Sequence, residues 1–412
     1  MNPLENEACW ALKNLISKNL ITDFDTAIIL QSWNQLDSYL NHLKASFPQN
    51  TLHAIAIKTN PHPEVLKHVV KLGFGLEAAS LEEVQLAVQA GISFDKIIFD
   101  SPVKTRREII YCNANYPGIK LNVNCLEELN RIPENPSFTL GIRINPMIDT
   151  GAPSLYHVSS DESKFGVPIT EIDEILKAIE HYPVTQLHVH AGSHMTNLDS
   201  SILAIQILVD LAEKANTMLS EKGINRRITF LDLGGGLPPE KLDEKSKSTM
   251  QSYAEKLASN IENIKNYQLI TEFGQWCYFY TGYAFSQVEY VVKRGDKDVV
   301  FIHVGADYLM RDAYSKPRGI SFKTFTYQGE EKSSEINTYD VAGPLCFAGD
   351  YLCKNQALNS PNEGDWLALL NTGSNSFGLW SRHCSRAIPK VFGVDFEKKE
   401  IRLLSDRQAF RS

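Results

Sequence analysis

The stretch HAIAIKTNPHPEVLKHVVKLGFGLEAASLEEVQLAVQAG, residues 53–91, decides the fold. HAIAIK (53–58) is a short apolar run closed by Lys58 and reads as a buried strand. PEVLKHVVKLG (63–73) then has helical spacing and stops at a glycine. FGLEA (74–78) is a second strand. SLEEVQLAVQAG (80–91) is a second helix, opened by a capping box from Ser80 to Glu83. Strand, helix, strand, helix is the grammar of a parallel sheet.

The same alternation continues outward on both sides. WNQLDSYLNHLKAS (33–46) is helical and precedes the first strand. Further strands are KIIFD (96–100), KLNVN (120–124), FTLGIRIN (138–145), TQLHVH (185–190), ITFLDL (228–233) and QLITEF (268–273). Between them, KTRREIIYCNAN, CLEELNRI, EIDEILKAIEHY, SILAIQILVDLAEKANTMLSEKG and MQSYAEKLASNIENI read as helices. Eight strands in about 240 residues match a closed (β/α)8 barrel better than an open doubly wound sheet, the second choice. After about residue 275 the runs YAFSQVEYVV, DVVFIHV, NTYDVAG, DWLALL and KVFGV are β-rich and no long amphipathic helix follows. The expected organisation is an N-terminal segment over 1–30 that joins a β domain, a barrel over 31–275, and a C-terminal β domain over 276–412.

The 412 residues and 43% hydrophobic content suffice for such a core. A net charge of −8 argues against a nucleic-acid footprint, which needs a basic face. No apolar run reaches the ~18 residues of a membrane span. Glu5 and Glu7 stand where a signal peptide would carry positive charge, so a cytoplasmic location is expected. The seven cysteines are odd in number and form no CxxC, against a disulfide framework or zinc knuckle. Most of them are expected to be small buried hydrophobes.

A barrel builds its active site at the C-terminal ends of its strands. Lys58, Glu77, Arg143, Asn145, His190, Gly192, Ser193, Gly234, Gly235, Gly236, Glu272, Gly274 and Gln275 all fall there. Lys58 alone would read as a snorkelling lysine; as part of this set it reads as a Schiff-base lysine whose pKa falls on desolvation. In LDLGGGLP (231–238) three glycines let backbone N–H groups approach an anion, and barrels commonly bind phosphate there. Ser193 adds a hydroxyl donor. His188 and His190 in HVHAGSH share one strand face. A ring-stacking role for His190 ranks first, one buried and one exposed histidine second, and a metal pair third; no metal is expected. Glu272 beside a pyridine nitrogen would keep it protonated and strengthen it as an electron sink.

Together these pieces resemble the barrel-type (fold type III) PLP decarboxylases that act on ornithine, diaminopimelate, arginine and related amino acids. The similarity runs from about residue 25 to 395. It rests on AIKTN (56–60), FGLEAASLEEVQLA (74–87), LGIRINP (140–146), SKFG (163–166), HAGS (190–193), DLGGG (232–236), TEFGQ (271–275), GPLCFAGD (343–350) and GSNSFGLWSRHCSR (373–386). The resemblance implies an alanine racemase-like, PLP-binding (β/α)8 TIM barrel with a C-terminal β-rich domain. It implies pyridoxal 5′-phosphate carried on Lys58, stacked by His190 and paired at its nitrogen with Glu272. Ser193, Gly234–Gly236 and Gly274 would hold the phosphate, with Glu77 and Arg143 as polar supports. Cys346 would return a proton to Cα from the partner subunit, which implies a head-to-tail homodimer with shared active sites.

The departures bear on substrate. Gln275 replaces the family's usual arginine and Asn375 its usual tyrosine, both at cofactor contacts. Phe347 follows Cys346 where the family carries an acid for a distal ammonium, and an apolar ring cannot neutralise that charge. DYLMRDAY (307–314) resembles the diaminopimelate branch's carboxylate-binding segment, with Arg311 matching directly and Tyr314 one residue early. Asp350 keeps the family's acid. The expected activity is decarboxylation of an unusual or conjugated amino acid in a specialised biosynthetic pathway. Alternatives are a diaminopimelate decarboxylase, an amino-acid racemase that Glu272 disfavours, and a regulatory pseudoenzyme against which Lys58 and Cys346 speak.

Overall fold

A computed structural model describes residues 3–153, 158–243, 245–315 and 319–408. Contacts divide the chain into two units, residues 41–277 and residues 1–40 together with 278–412.

The first unit is a closed barrel of eight parallel strands. They are β1 (Leu52–Ala56), β2 (Gly75–Ala78), β3 (Ile97–Phe99), β4 (Lys120–Val123), β5 (Thr139–Asn145), β6 (Val184–Val189), β7 (Phe230–Asp232) and β8 (Gln268–Thr271). Each pairs with the next in sequence, and β8 closes on β1 through Ile270 opposite Leu52. A further short strand, Val167–Pro168, pairs beside β5. The open doubly wound alternative is thereby set aside. Several of the helices between strands begin at side-chain caps. Ser80 accepts from the Glu83 N–H at 3.2 Å, and Thr105 and Ser248 form full capping boxes with Glu108 and Gln251. CLEELNRI differs from expectation: it is a 3-10 segment, Leu126–Arg131, and it stops at Ile132, which the following Pro133 holds in an extended conformation.

Side chains alternate along a strand, and partners in register face the same way. Ala54, Ile98 and Ile270 therefore meet as an apolar layer inside the barrel. Two residues further along, the same phase points Ala56, Glu77, Asp100, Arg143, His188, Asp232 and Glu272 inward at the C-terminal mouth. Ala56 lies opposite Glu77, Arg143 opposite His188, and His188 opposite Asp232.

The second unit is a nine-stranded sheet. Its spine is the long strand Gly282–Arg294, which pairs antiparallel with Ala27–Ser32, Lys297–Ile302 and Trp366–Leu370. Ala27–Ser32 also runs parallel to Lys390–Asp395. An N-terminal helix, Pro3–Ser17, buries Leu4, Ala8, Ala11, Leu12 and Leu15 against Tyr283, Phe285, Trp366 and Phe392. Among the described residues no helix is long and apolar enough to cross a membrane. All seven cysteines are free. Cys112 and Cys277 are buried and Cys9 and Cys353 pack partly buried against the cores, whereas Cys125, Cys346 and Cys384 are exposed, so the expectation of small buried hydrophobes holds fully for only two.

Candidate active site

Lys58 does not close β1 as expected. The strand ends at Ala56, and Lys58 sits in a single 3-10 turn, Ile57–Thr59, closed by the Asn60 N–H donating to the Ile57 carbonyl. The turn swings the lysine over the mouth, where Nζ donates to Glu77 Oε2 at 2.6 Å. Its side chain is 56% exposed and reachable from solvent, although protein surrounds its base. Burial works against its charge, but Glu77, Glu272 and Asp100 outweigh it and raise the pKa. This reverses the expectation of a lowered one. Glu77 itself is fully enclosed, and burial lifts its carboxyl to about 7 against the pull of Lys58.

Arg143 Nη1 pairs with Asp100 Oδ2 at 2.8 Å, and the guanidinium lies 4.5 Å from the ring of Phe165 in SKFG. His188 follows in the ring, with Nδ1 3.3 Å from Asp100 Oδ1 and Nε2 3.3 Å from Glu272 Oε2. Burial opposes ionisation of Asp100, but His188 and Arg143 hold it well below the usual carboxylate range. Glu272 is likewise lowered, against burial, chiefly by His188. Asp232 is pushed well up by burial and by Glu272. His190 is held neutral: burial and Arg143 bring it down to about 3, and its Nδ1 accepts the Gly235 N–H at 3.1 Å.

The glycines are needed sterically. A Cβ on Gly236, at φ +108°, would fall 2.0 Å from the Gly192 carbonyl oxygen. One on Gly235 would meet the Glu272 carbonyl at 2.6 Å, and one on Gly274 would meet Thr59 Oγ1 at 2.2 Å. The loop of Gly234–Gly236, the segment carrying Ser193 and the end of β8 are thus packed backbone to backbone. The Met195 N–H donates to the Gly236 carbonyl, and the Glu272 N–H to that of Gly234. Such a cradle of close-packed amides suits a phosphate. Gln275 begins a short helix, Gln275–Tyr278, and its buried Nε2 makes no hydrogen bond. Glu272 Oε1 is also buried without a hydrogen-bond partner. An unmatched carboxylate oxygen, a neutral imidazole and an accessible lysine at one mouth fit a phosphorylated pyridine aldehyde.

In the sheet unit, three motifs converge. Arg386 Nε pairs with Asp307 Oδ2 at 3.0 Å. The Cys346 N–H points at Cys384 Sγ at 3.5 Å, and the rings of Phe347 and Tyr314 stack 4.9 Å apart at 19°. Arg311 stands on the same short helix as Tyr314, Met310–Tyr314. Asn375 is buried at φ +51°. Asp350, expected as a substrate contact, is buried, and its carboxylate accepts the N–H groups of Ala306 at 2.6 Å and Leu345 at 2.7 Å. These bonds also shape the loop that carries Cys346. Asp100 is a site residue that no sequence motif points to, and Asp232, although it opens the DLGGG motif, has no role assigned from it. The signal that could find them is their place at the inward phase just beyond Ile98 and Phe230.

Comparison with known proteins agrees with this geometry. The family described as pyridoxal-dependent decarboxylase, pyridoxal binding domain, matches residues 34–278, and its C-terminal sheet domain matches 275–373. The diaminopimelate decarboxylase of Aquifex aeolicus is 26% identical over 95% of this chain and 92% of its own. That of Helicobacter pylori strain J99 is 29% identical over 95% of each. Among solved structures, diaminopimelate decarboxylase from Helicobacter pylori complexed with L-lysine superposes with a TM-score of 0.82 at 24% identity, over 95% of this chain and 97% of that one. The arginine decarboxylase of Paramecium bursaria Chlorella virus gives 0.80 at 19%, over 96% and 100%.

Proposed function

This chain belongs to the pyridoxal-dependent decarboxylases and is a PLP-dependent amino-acid carboxy-lyase, and we propose that its substrate is diaminopimelate or a close analogue. Support comes from curated relatives named diaminopimelate decarboxylases, which align along nearly the whole chain. PLP, when bound, supplies the sink for the electron pair left as the α-carboxylate departs as CO2. Lys58 is its attachment point, and the Gly234–Gly236 loop, Ser193 and Gly274 hold its phosphate. His190, being neutral, offers an uncharged ring face. Glu272 Oε1, buried and with no hydrogen bond formed in this structure, carries the reading of the site: it would accept the N–H of a protonated pyridine nitrogen. Glu77 and Arg143 fix the polar surround. Cys346 is exposed on its loop and, in a homodimer with shared sites, returns a proton to Cα of the partner subunit's substrate. Arg311 takes the distal carboxylate.

A second reading is favoured by the stacked Phe347 and Tyr314. An aromatic shelf beside Cys346 in place of an acid suits an amino acid, free or conjugated, with no distal ammonium. CO2 release from meso-diaminopimelate with lysine as product supports the first reading. A holoenzyme inert towards diaminopimelate but active on amino acids with an apolar distal end establishes the second. Absence of a PLP absorbance band in the purified protein removes both.

A further inference from the structure

His188 occupies the centre of the charged ring, yet none of the cofactor contacts above employs it. It is fully buried, and its two nitrogens face carboxylates on opposite sides, Asp100 and Glu272, each at 3.3 Å. A neutral imidazole has one N–H and one lone pair. It could serve one carboxylate and would turn its lone pair against the other. The protonated ring has two donors and a positive charge that attracts both; in this structure each nitrogen lies at ion-pair distance from its carboxylate, 3.3 Å, without a formed hydrogen bond. Burying that cation is favourable only because it is paired on each side.

The surroundings agree with this assignment. Arg143 occupies the far oxygen of Asp100, so the order Arg143, Asp100, His188, Glu272 alternates in sign across four strand ends. His190, one residue past the end of the same strand, is held neutral, and the carboxyl of Asp232 opposite His188 is pushed up by burial and by Glu272. Asp100, His188 and Glu272 bring ligand atoms within 4.8 Å of one another, a spacing that would also suit a metal ion. An imidazolium there would supply the positive charge itself and leave no lone pair for coordination.

We infer that His188 is a positioning residue: a buried imidazolium that couples Arg143 and Asp100 to Glu272, holding Oε2 so that Oε1 stays ionised and aimed at the cofactor's pyridine nitrogen. The inference rests on the reading that Glu272 pairs with that nitrogen. Without His188, the adjacent Asp232 and Glu272 would share a proton, and Glu272 would lose the charge that keeps the pyridine protonated.

The test uses the full-length holoenzyme, wild type and His188→Gln, reconstituted with PLP labelled with 15N in the ring. In the wild type the nitrogen shows the NMR shift of a protonated pyridine. In H188Q it moves towards the unprotonated shift. PLP affinity by equilibrium dialysis also falls by at least about tenfold, since losing one partner of a buried charge pair costs more than one decade. An H188Q protein with the wild-type 15N shift and affinity overturns the inference. If H188Q does not fold, the His188 ring nitrogens of the 15N-histidine-labelled wild type decide: doubly protonated at pH 8 supports it, neutral overturns it. Borohydride trapping of PLP on wild-type Lys58 is the control. Its failure condemns the site reading, not the role of His188.

Discussion

Lys58 Nζ and Glu77 Oε2 lie 2.6 Å apart, which ties the turn after the first barrel strand to the end of the second. The contact keeps Lys58 charged before the cofactor arrives, and a charged amine cannot attack an aldehyde. Glu77→Gln removes the largest attraction that raises the Lys58 pKa. The rate at which the apoenzyme attaches PLP should then rise at neutral pH, and its pH profile should move to lower pH. Lowering the lysine pKa by one gives about a tenfold gain in neutral amine. A stopped-flow profile identical to wild type would show that Glu77 does not control the lysine. Lys58→Ala should abolish borohydride trapping altogether.

Gly236→Ala should weaken both folding and cofactor binding. The new Cβ would sit 2.0 Å from the Gly192 oxygen at φ +108°, and neither backbone can withdraw without opening the cradle. A loss of about 1–3 kcal/mol in stability is expected, with PLP affinity falling at the same time. Gly91→Ala is the matched control. It has φ +83° but open space around it, so it carries the conformational cost without touching PLP affinity. Denaturant midpoints and equilibrium dialysis on the pair separate the two effects.

The barrel is legible in the sequence because period-two alternation is local. Once HAIAIK and KIIFD are strands, the inward phase follows by counting, and it leads from Ile98 to Asp100 and from Ile270 to Glu272. Asp100 is easily missed because it closes an apolar run with no motif around it. Lys58 reads as part of the strand since nothing in HAIAIK marks the turn at Ile57; a turn closed by a single backbone hydrogen bond has no side-chain signature. Desolvation alone predicts a lowered lysine pKa. Three carboxylates, brought close by strands distant in sequence, reverse the sign. The sheet unit is least readable for the same reason. Ile29 pairs with Val391, and no periodicity reports a partnership across that separation.

Glu7 should make the N-terminal helix sensitive to alkali. Its carboxylate is buried, accepting from Ser32 Oγ at 2.6 Å and Tyr283 Oη at 3.1 Å, and burial raises its pKa to about 7. The folded pKa lies above the unfolded value of 4.5, so folding favours the protonated form. That stabilisation is complete below pH 4.5 and is lost as pH rises through 7. Glu7→Gln should therefore be more stable than wild type at pH 8, by on the order of 3 kcal/mol, and no more stable at pH 4.5. Urea midpoints at the two pH values check this; an equal difference at both would assign the effect to packing.

Phe347 should set which distal group the enzyme accepts. Its ring stacks on Tyr314 next to Cys346, so any group reaching that thiol passes an apolar shelf. A distal ammonium desolvated there has no carboxylate to receive it, whereas Phe347→Glu supplies one. A hydrogen bond between charged groups contributes about 1.5–3 kcal/mol, equivalent to roughly 10- to 100-fold in kcat/KM. For a preferred substrate that lacks a distal ammonium, F347E should raise the ratio of kcat/KM for lysine or ornithine to that for this substrate by that factor; for diaminopimelate, whose own distal ammonium gains the same partner, the ratio should stay put. Phe347→Leu, which stays apolar but cannot stack, should leave the ratio near wild type while raising KM for the preferred substrate. The comparison isolates charge from shape. A panel of CO2-release assays on the two variants decides it: if F347E leaves the ratio to a substrate without a distal ammonium unmoved, the distal end of the substrate lies elsewhere and the shelf belongs to the packing of the loop.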